Sequence, residues 1–165
     1  MNRTAFPFLC LIALCAASPA ALAAVSAADY RASLMEVYGR YQGVLALRDA
    51  CNSAFPDLRA ANDKAYAAWQ KRDRQVHAEL DQRFAMMVRA HSRDDKDYAR
   101  NYGKYQGAIL QQREEARQAL LLNTRGDLGE QCRAMPGFLS GPESDLEKEF
   151  ADEWAILRQW PLQSR

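Results

Sequence analysis

Two stretches of this 165-residue chain carry nearly the same six residues: Tyr38-Gly39-Arg40-Tyr41-Gln42-Gly43 and Tyr102-Gly103-Lys104-Tyr105-Gln106-Gly107. Between them lie His77 and Asp81, four residues apart and so on one helix face, where a carboxylate can orient an imidazole. Together with Trp160 near the C-terminus, Tyr38, Tyr41, His77, Asp81, Tyr102 and Tyr105 form the candidate ligand- or partner-binding set. Phenols beside an imidazole and a carboxylate can bind a polar ligand, hold a metal weakly or move a proton. The same residues have a second reading as core, because tyrosines on an apolar helix stripe pack their rings and turn their hydroxyls to the rim.

No nucleophile accompanies the set, and HExxH, GxSxG, phosphate-loop and EF-hand patterns are absent from the sequence, so no catalytic residue is assigned. A metal centre needs three or four suitably spaced ligands, whereas His77 and His91 are the chain's two histidines; no metal and no cofactor is expected. Arg125-Gly126-Asp127 spells RGD, but Gly126 there also fits a helix C-cap.

The glycines of the repeated block need a reason, since glycine inside a helix costs about 1 kcal/mol relative to alanine. On the first helix Ala32, Gly39, Gly43, Ala46 and Ala50 line the side opposite the large apolar residues. Such a face lets another backbone approach closely. Gly39, Gly43, Gly103 and Gly107 are therefore read as close-packing glycines, either against a helix of the same chain or a second copy, or as the floor of a groove for a partner. Outside the block the 64-residue offset aligns poorly, so a shared packing requirement accounts for the echo better than a duplication does.

The N-terminus reads as a secretory signal of residues 1–23. Arg3 precedes an apolar stretch from Phe6 to Ala17, Pro19 interrupts it, and Ala21-Leu22-Ala23 is a small-x-small cleavage pattern. The stretch is shorter than the roughly 20 residues of a membrane-spanning helix. Cys10 and Cys15 each follow a leucine, which does not fit a lipid-attachment signal. The mature domain, residues 24–165, is thus expected in a periplasm or outside the cell, without stable membrane insertion. Cleavage leaves two cysteines, Cys51 and Cys132; neither sits in CxxC or CxxCH, and in an oxidising compartment an isolated pair reads as a disulfide.

The elements that must position these residues are helices. Apolar residues recur every three or four positions and no useful alternating run appears. The first helix is expected over Ala28–Ala54, ended by Pro56. A second runs from Asp57 to Ala90. A third is opened by Ser92 and Asp95 and ends near Asn123 to Gly126. Residues 126–142, with their glycines and two prolines, are expected to form a loop holding at most a short helical turn, followed by a helix from Pro142 to Pro161. The fold class is all-α: an antiparallel up-down bundle of three long helices and a shorter C-terminal one, with the disulfide at one end. In that arrangement both tyrosine blocks, His77, Asp81 and Trp160 fall at one height.

Hydrophobic residues make up 48% of the chain, which excludes a disordered polymer. Removing Arg3 with the signal leaves 21 basic groups against 21 acidic ones, a balance unsuited to holding a nucleic-acid backbone. The LTxxQ repeats of helical periplasmic chaperones are absent, as is the CxxCH of haem-binding bundles. The expectation is a non-enzymatic binding protein (adaptor, inhibitor, immunity or chaperone-like) meeting a protein partner in the cell envelope, or itself, through helix surfaces. The alternatives are a small-ligand binder using the Tyr/His/Asp set and, beyond that, an enzyme with His77 as base.

Overall fold

A computed structural model describes residues 25–122 and 127–160; the expected signal segment and most of the RGD triplet lie outside the described residues. Among them there are seven α-helices, two 3-10 turns and no strand. The helices are α1 (Ala27–Ala54), α2 (Arg59–Arg72), α3 (Arg74–Ala90), α4 (Asp95–Leu122), α5 (Leu128–Ser140), α6 (Leu146–Glu149) and α7 (Ala151–Arg158), with 3-10 turns at Pro56–Leu58 and Pro142–Ser144. The all-helical expectation holds, and the Cys51–Cys132 bond is present, with 5.4 Å between the Cα atoms.

Local chemistry explains the ends of α1 and α4. At the start of α1, Ser26 accepts from the Asp29 amide while Asp29 reaches back to Ser26, a reciprocal cap. Pro56, lacking an N–H, opens the 3-10 turn that ends it. At α4 the cap is Asp94, whose carboxylate accepts from the Asp97 amide 2.7 Å away. Ser92, the expected cap, instead donates its hydroxyl to Val88 O and closes α3.

Three expectations need correction. The continuous second helix is broken at Asp73, giving α2 and α3. There Arg72 is gripped through two of its nitrogens by the Asp73 carboxylate and donates onward to Leu139 O and the Ser144 hydroxyl, each at 3.0 Å. The second correction is the expected loop, which contains the 13-residue helix α5. Asp127 caps it by accepting from the Glu130 amide, and Pro136 is accommodated inside it. Its buried residues, Gly129, Cys132, Met135 and Leu139, are spaced three or four apart, a helical period that the breaker residues concealed. Third, the C-terminal helix is divided into a 3-10 turn, α6 and α7.

α1 is the central element and packs against α2, α3, α4, α5 and α7. The pairs Tyr30–Arg83, Tyr41–His77 and Asn52–Asp63 climb α1 while descending the chain through α3 and α2, so these run opposite to α1. The core is built from Leu34, Val37, Leu80, Phe84, Val88, Met135, Leu139 and Leu157, each at most 1% exposed. Two tryptophans hold the C-terminal segment on it. Trp69 Nε1 donates to Ser144 O at 3.0 Å and Trp154 Nε1 to Leu146 O at 3.1 Å, so each buries its ring with its one donor satisfied.

The glycine face also differs from expectation. Ala46 and Ala50 are buried, but Gly39, Gly43, Gly103 and Gly107 are exposed, and a Cβ built on any of them would meet nothing within 4 Å. Among the described residues no neighbouring helix comes within 4 Å of the Cβ position of any of them. The close approach is at Gly129, where a Cβ would come within 3.3 Å of the Phe55 ring, one helical turn before Cys132. The disulfide thus pins α5 where its backbone must lie nearest the end of α1. Closing 81 residues of sequence separation restricts the unfolded chain by about 4 kcal/mol. Reduction, or Cys51→Ser, is expected to lower the thermal midpoint by roughly 10 °C or more; calorimetry of oxidised and reduced protein that gave equal midpoints would refute the linkage.

Candidate functional site

Apart from Trp160, the rings of the candidate set meet in one continuous aromatic row across α2, α1, α3 and α4. Tyr41 lies 5.9 Å from Trp69 and 4.8 Å from His77, centroid to centroid, and Trp69 is 4.6 Å from His77. Tyr41 meets Tyr38 edge-on at 6.0 Å, and Tyr38 stacks on Phe84 at 5.2 Å. The edges of Tyr102 and Tyr105 close on Phe84 at 5.7 and 6.1 Å. Tyr38, Tyr41, His77, Tyr102 and Tyr105 are therefore together. Trp69 and Phe84, absent from the expected set, are the rings that join them, and Tyr66, also absent from it, extends the row from Trp69. Their signal was their place on the same helical stripes, which reads equally as core.

Trp160 is elsewhere. It stacks on Tyr30 at 4.9 Å, eleven residues before Tyr41 on α1 and hence about 16 Å along that helix. The residues spent on α5 and the broken C-terminal segment carry α7 down to the start of α1, not to the height of His77. Arg83 fixes it there. Its guanidinium, 3% exposed, grips Glu79 through two nitrogens and donates to Leu157 O at 2.5 Å and Trp160 O at 3.1 Å. A buried cation on the last carbonyls of α7 complements that helix end. Arg158 closes the outside of the same network on Glu79 and Glu147.

The electrostatics follow from burial. His77 is 9% exposed, and its Nε2 is buried without a hydrogen-bond partner. Desolvation lowers its pKa, with the Asp73 carboxylate opposing and Arg72 reinforcing the shift. Asp81 is not among the charges that act on His77, which are those of Asp73 and Arg72; the Asp81 charge acts on Tyr38. Burial pushes the Asp81 carboxyl up, and pushes the Tyr38 phenol to about 12, the Asp81 charge adding to the effect. Burial likewise raises Tyr66, whose hydroxyl accepts from Gln70 Nε2 at 2.5 Å. A second orphaned polar group, Asn62, is 1% exposed with neither side-chain atom bonded. Among the described residues no group of three His, Cys, Asp or Glu is placed to hold a metal ion.

Arranged this way, the row can hold phenols protonated and an imidazole neutral at pH 7 in a packed, poorly hydrated setting. The chain matches no protein-family model, no curated protein and no solved structure.

His77 dictates a pH dependence of stability. Its folded pKa lies below the unfolded 6.5, so below pH 6.5 the unfolded chain binds the extra proton. The stabilisation is complete above 6.5 and is lost on acidification, at a limiting slope of about 1.4 kcal/mol per pH unit. Glu79 and Asp145, lowered from 4.5 and 3.8, add their losses only at more acid pH. Urea titrations between pH 7.5 and 5 are expected to show stability falling toward acid pH in the native chain, by no more than this slope, and a flatter profile in His77→Phe. Parallel profiles would overturn the assignment.

Proposed function

We propose that this chain is a non-enzymatic binding protein of the cell envelope that engages a helix of a second polypeptide through the faces of α1 and α4. One observation carries the reading: the four glycines of the repeated block stand in helix interiors with open space where a Cβ would be. Each costs helix stability, and among the described residues no contact requires glycine there. Two clefts between α1 and α4 support it. One is lined by Tyr38, Gly39, Gly43 and Ile109, the other by Gly43, Ala46, Ala116 and Leu120. Only Asp97 and Ile109 of the described α4 side chains are buried, and Leu110 and Leu122 are exposed.

In this reading residues 1–23 export the chain, and the mature domain is a disulfide-closed antiparallel bundle acting in a periplasm or outside the cell. No helix among the described residues is long and apolar enough to cross a membrane, and the disulfide suits an oxidising compartment. The partner is a protein of the envelope or a second copy of this chain. A second reading, a small polar ligand held by Tyr38, Tyr41, His77, Asp81, Tyr102 and Tyr105, draws on the unpartnered Nε2 of His77. It expects Tyr41→Phe to abolish ligand-induced stabilisation without unfolding the domain.

Substitution at the glycines tests the first reading. Gly39→Ala, Gly43→Ala, Gly103→Ala and Gly107→Ala are each expected to stabilise the isolated protein by about 0.5–1 kcal/mol. Gly43→Leu is expected to fold normally yet lose association, whether self-association in sedimentation equilibrium or capture of an envelope protein by the oxidised domain. Destabilisation by the alanines, or association indifferent to Gly43→Leu, would refute the helix-face reading.

A further inference from the structure

A cavity of about 220 Å³ opens at the end of the molecule opposite the disulfide, where α1 begins, α3 ends and Trp160 arrives. The stacked rings of Tyr30 and Trp160 border it, Met86 and Met87 contribute thioether chains, and Arg89 and His91 stand on its lining. We propose that this cavity binds a small aromatic carboxylate of one or two rings, the rings lying between the aromatic pair and the methionines and the carboxylate meeting Arg89.

Size, shape and charge each point to that class. An engineered cavity of roughly 150 Å³ accepts one benzene ring, so this one has room for a fused pair. Indole and phenol faces and methionine sulfur are favourable neighbours for a flat ring, and methionine adapts to its outline. The walls are held in place without a ligand. Tyr30 donates its hydroxyl to Arg83 O, and Arg83 in turn holds Trp160 O and the buried end of α7. On the other side His91 Nδ1 lies 2.8 Å from Met87 O; a carbonyl only accepts, so that nitrogen carries the hydrogen and the ring is fixed. A lining prepared in this way loses little freedom on binding.

The polar end is a cation. The Arg89 guanidinium lies over Tyr98, 4.0 Å from the ring centroid, and bonds through Nη1 to Asp95, which is almost wholly exposed. A guanidinium has five N–H donors, so a ligand carboxylate can be accepted beside that solvent-screened pair. The described residues lining the cavity include no carboxylate to repel it.

The test uses the exported, oxidised protein with 2-naphthoate and, as the uncharged counterpart, 2-naphthalenemethanol, followed by amide and methionine-methyl NMR. Saturable shifts are expected at Tyr30, Met86, Met87 and His91, with a Kd on the order of 100 µM for the acid. Arg89→Gln, an exposed substitution, should weaken the acid about fivefold and leave the alcohol unchanged. Ala90→Phe and Ala27→Phe, which fill the cavity from opposite walls, should remove both. Absence of saturable shifts, shifts indifferent to either filling variant, or equal weakening of acid and alcohol by Arg89→Gln would overturn the proposal. So would binding seen only in a chain ending at Trp160, which would assign the cavity to the five residues that follow.

Discussion

The bond between Cys51 and Cys132 is the constraint on which the C-terminal third depends. It joins the last turn of α1 to the first turns of α5 and sets Gly129 against Phe55. From there the polar ties run in order along α5 and beyond it. Leu139 O receives Arg72, Ser144 receives Arg72 and Trp69, and Leu146 O receives Trp154. None of these bonds is strong alone, since an ordinary intramolecular hydrogen bond contributes about 1 kcal/mol net. Their value lies in specifying one seating for a segment whose glycines and prolines give it little helical preference of its own. At the far end Arg83 does the same for α7 with a charge instead of a covalent bond.

Between these two anchored ends lies the aromatic row. Tyr38, Tyr41, His77, Tyr102 and Tyr105 are residue types suited to chemistry, and most of what the structure gives them is packing. Tyr41, Trp69 and His77 are in mutual ring contact, and Tyr38 lies flat on Phe84. Burial raises the Tyr38 and Tyr66 phenols and lowers the His77 imidazole, which leaves these three rings uncharged at neutral pH and so compatible with their neighbours. The orphaned Nε2 of His77 is the exception to that consistency, as is Asn62 near the other end of α2. Buried polar atoms without partners carry a desolvation penalty, and such departures from local optimality concentrate where something other than stability has set the residue.

Much of the fold was legible because it follows from local rules. The 3.6-residue period, the Ser26 cap and Pro56 bound α1, and the two cysteines outside the N-terminal apolar stretch, Cys51 and Cys132, identify the crosslink. What was not legible depended on contacts distant in sequence. Nothing near Asp73 announces a break, because the break serves Arg72, whose partners are Leu139 and Ser144. Pro136 and Gly137 argue against a helix that tertiary contacts then impose, through Cys132, Met135 and Leu139. The misplacement of Trp160 follows from these two, since height along a helix can be counted only while the helix is continuous. Asp81 was paired with His77 by spacing alone; a shared face places two side chains near each other but does not decide which neighbour each one turns toward.

The repeated hexapeptide is the clearest case of sequence geometry preceding structure. At 100° per residue, the two tyrosines of YGxYQG and its two glycines point in directions about 150° apart. A helix carrying the block therefore presents phenols to one side and bare backbone to the other. The block occurs on α1 and α4, which adjoin one another; Tyr38, Tyr102 and Tyr105 meet Phe84, and Tyr41 packs on Trp69 and His77. With the rings committed to the core, the glycines of both helices are turned outward, where the space for a Cβ is empty. The echo thus requires no duplication of the chain. One inward demand, for flat rings around Phe84 and Trp69, accounts for the tyrosines. The glycines answer an outward demand, and no residue of the described chain supplies it.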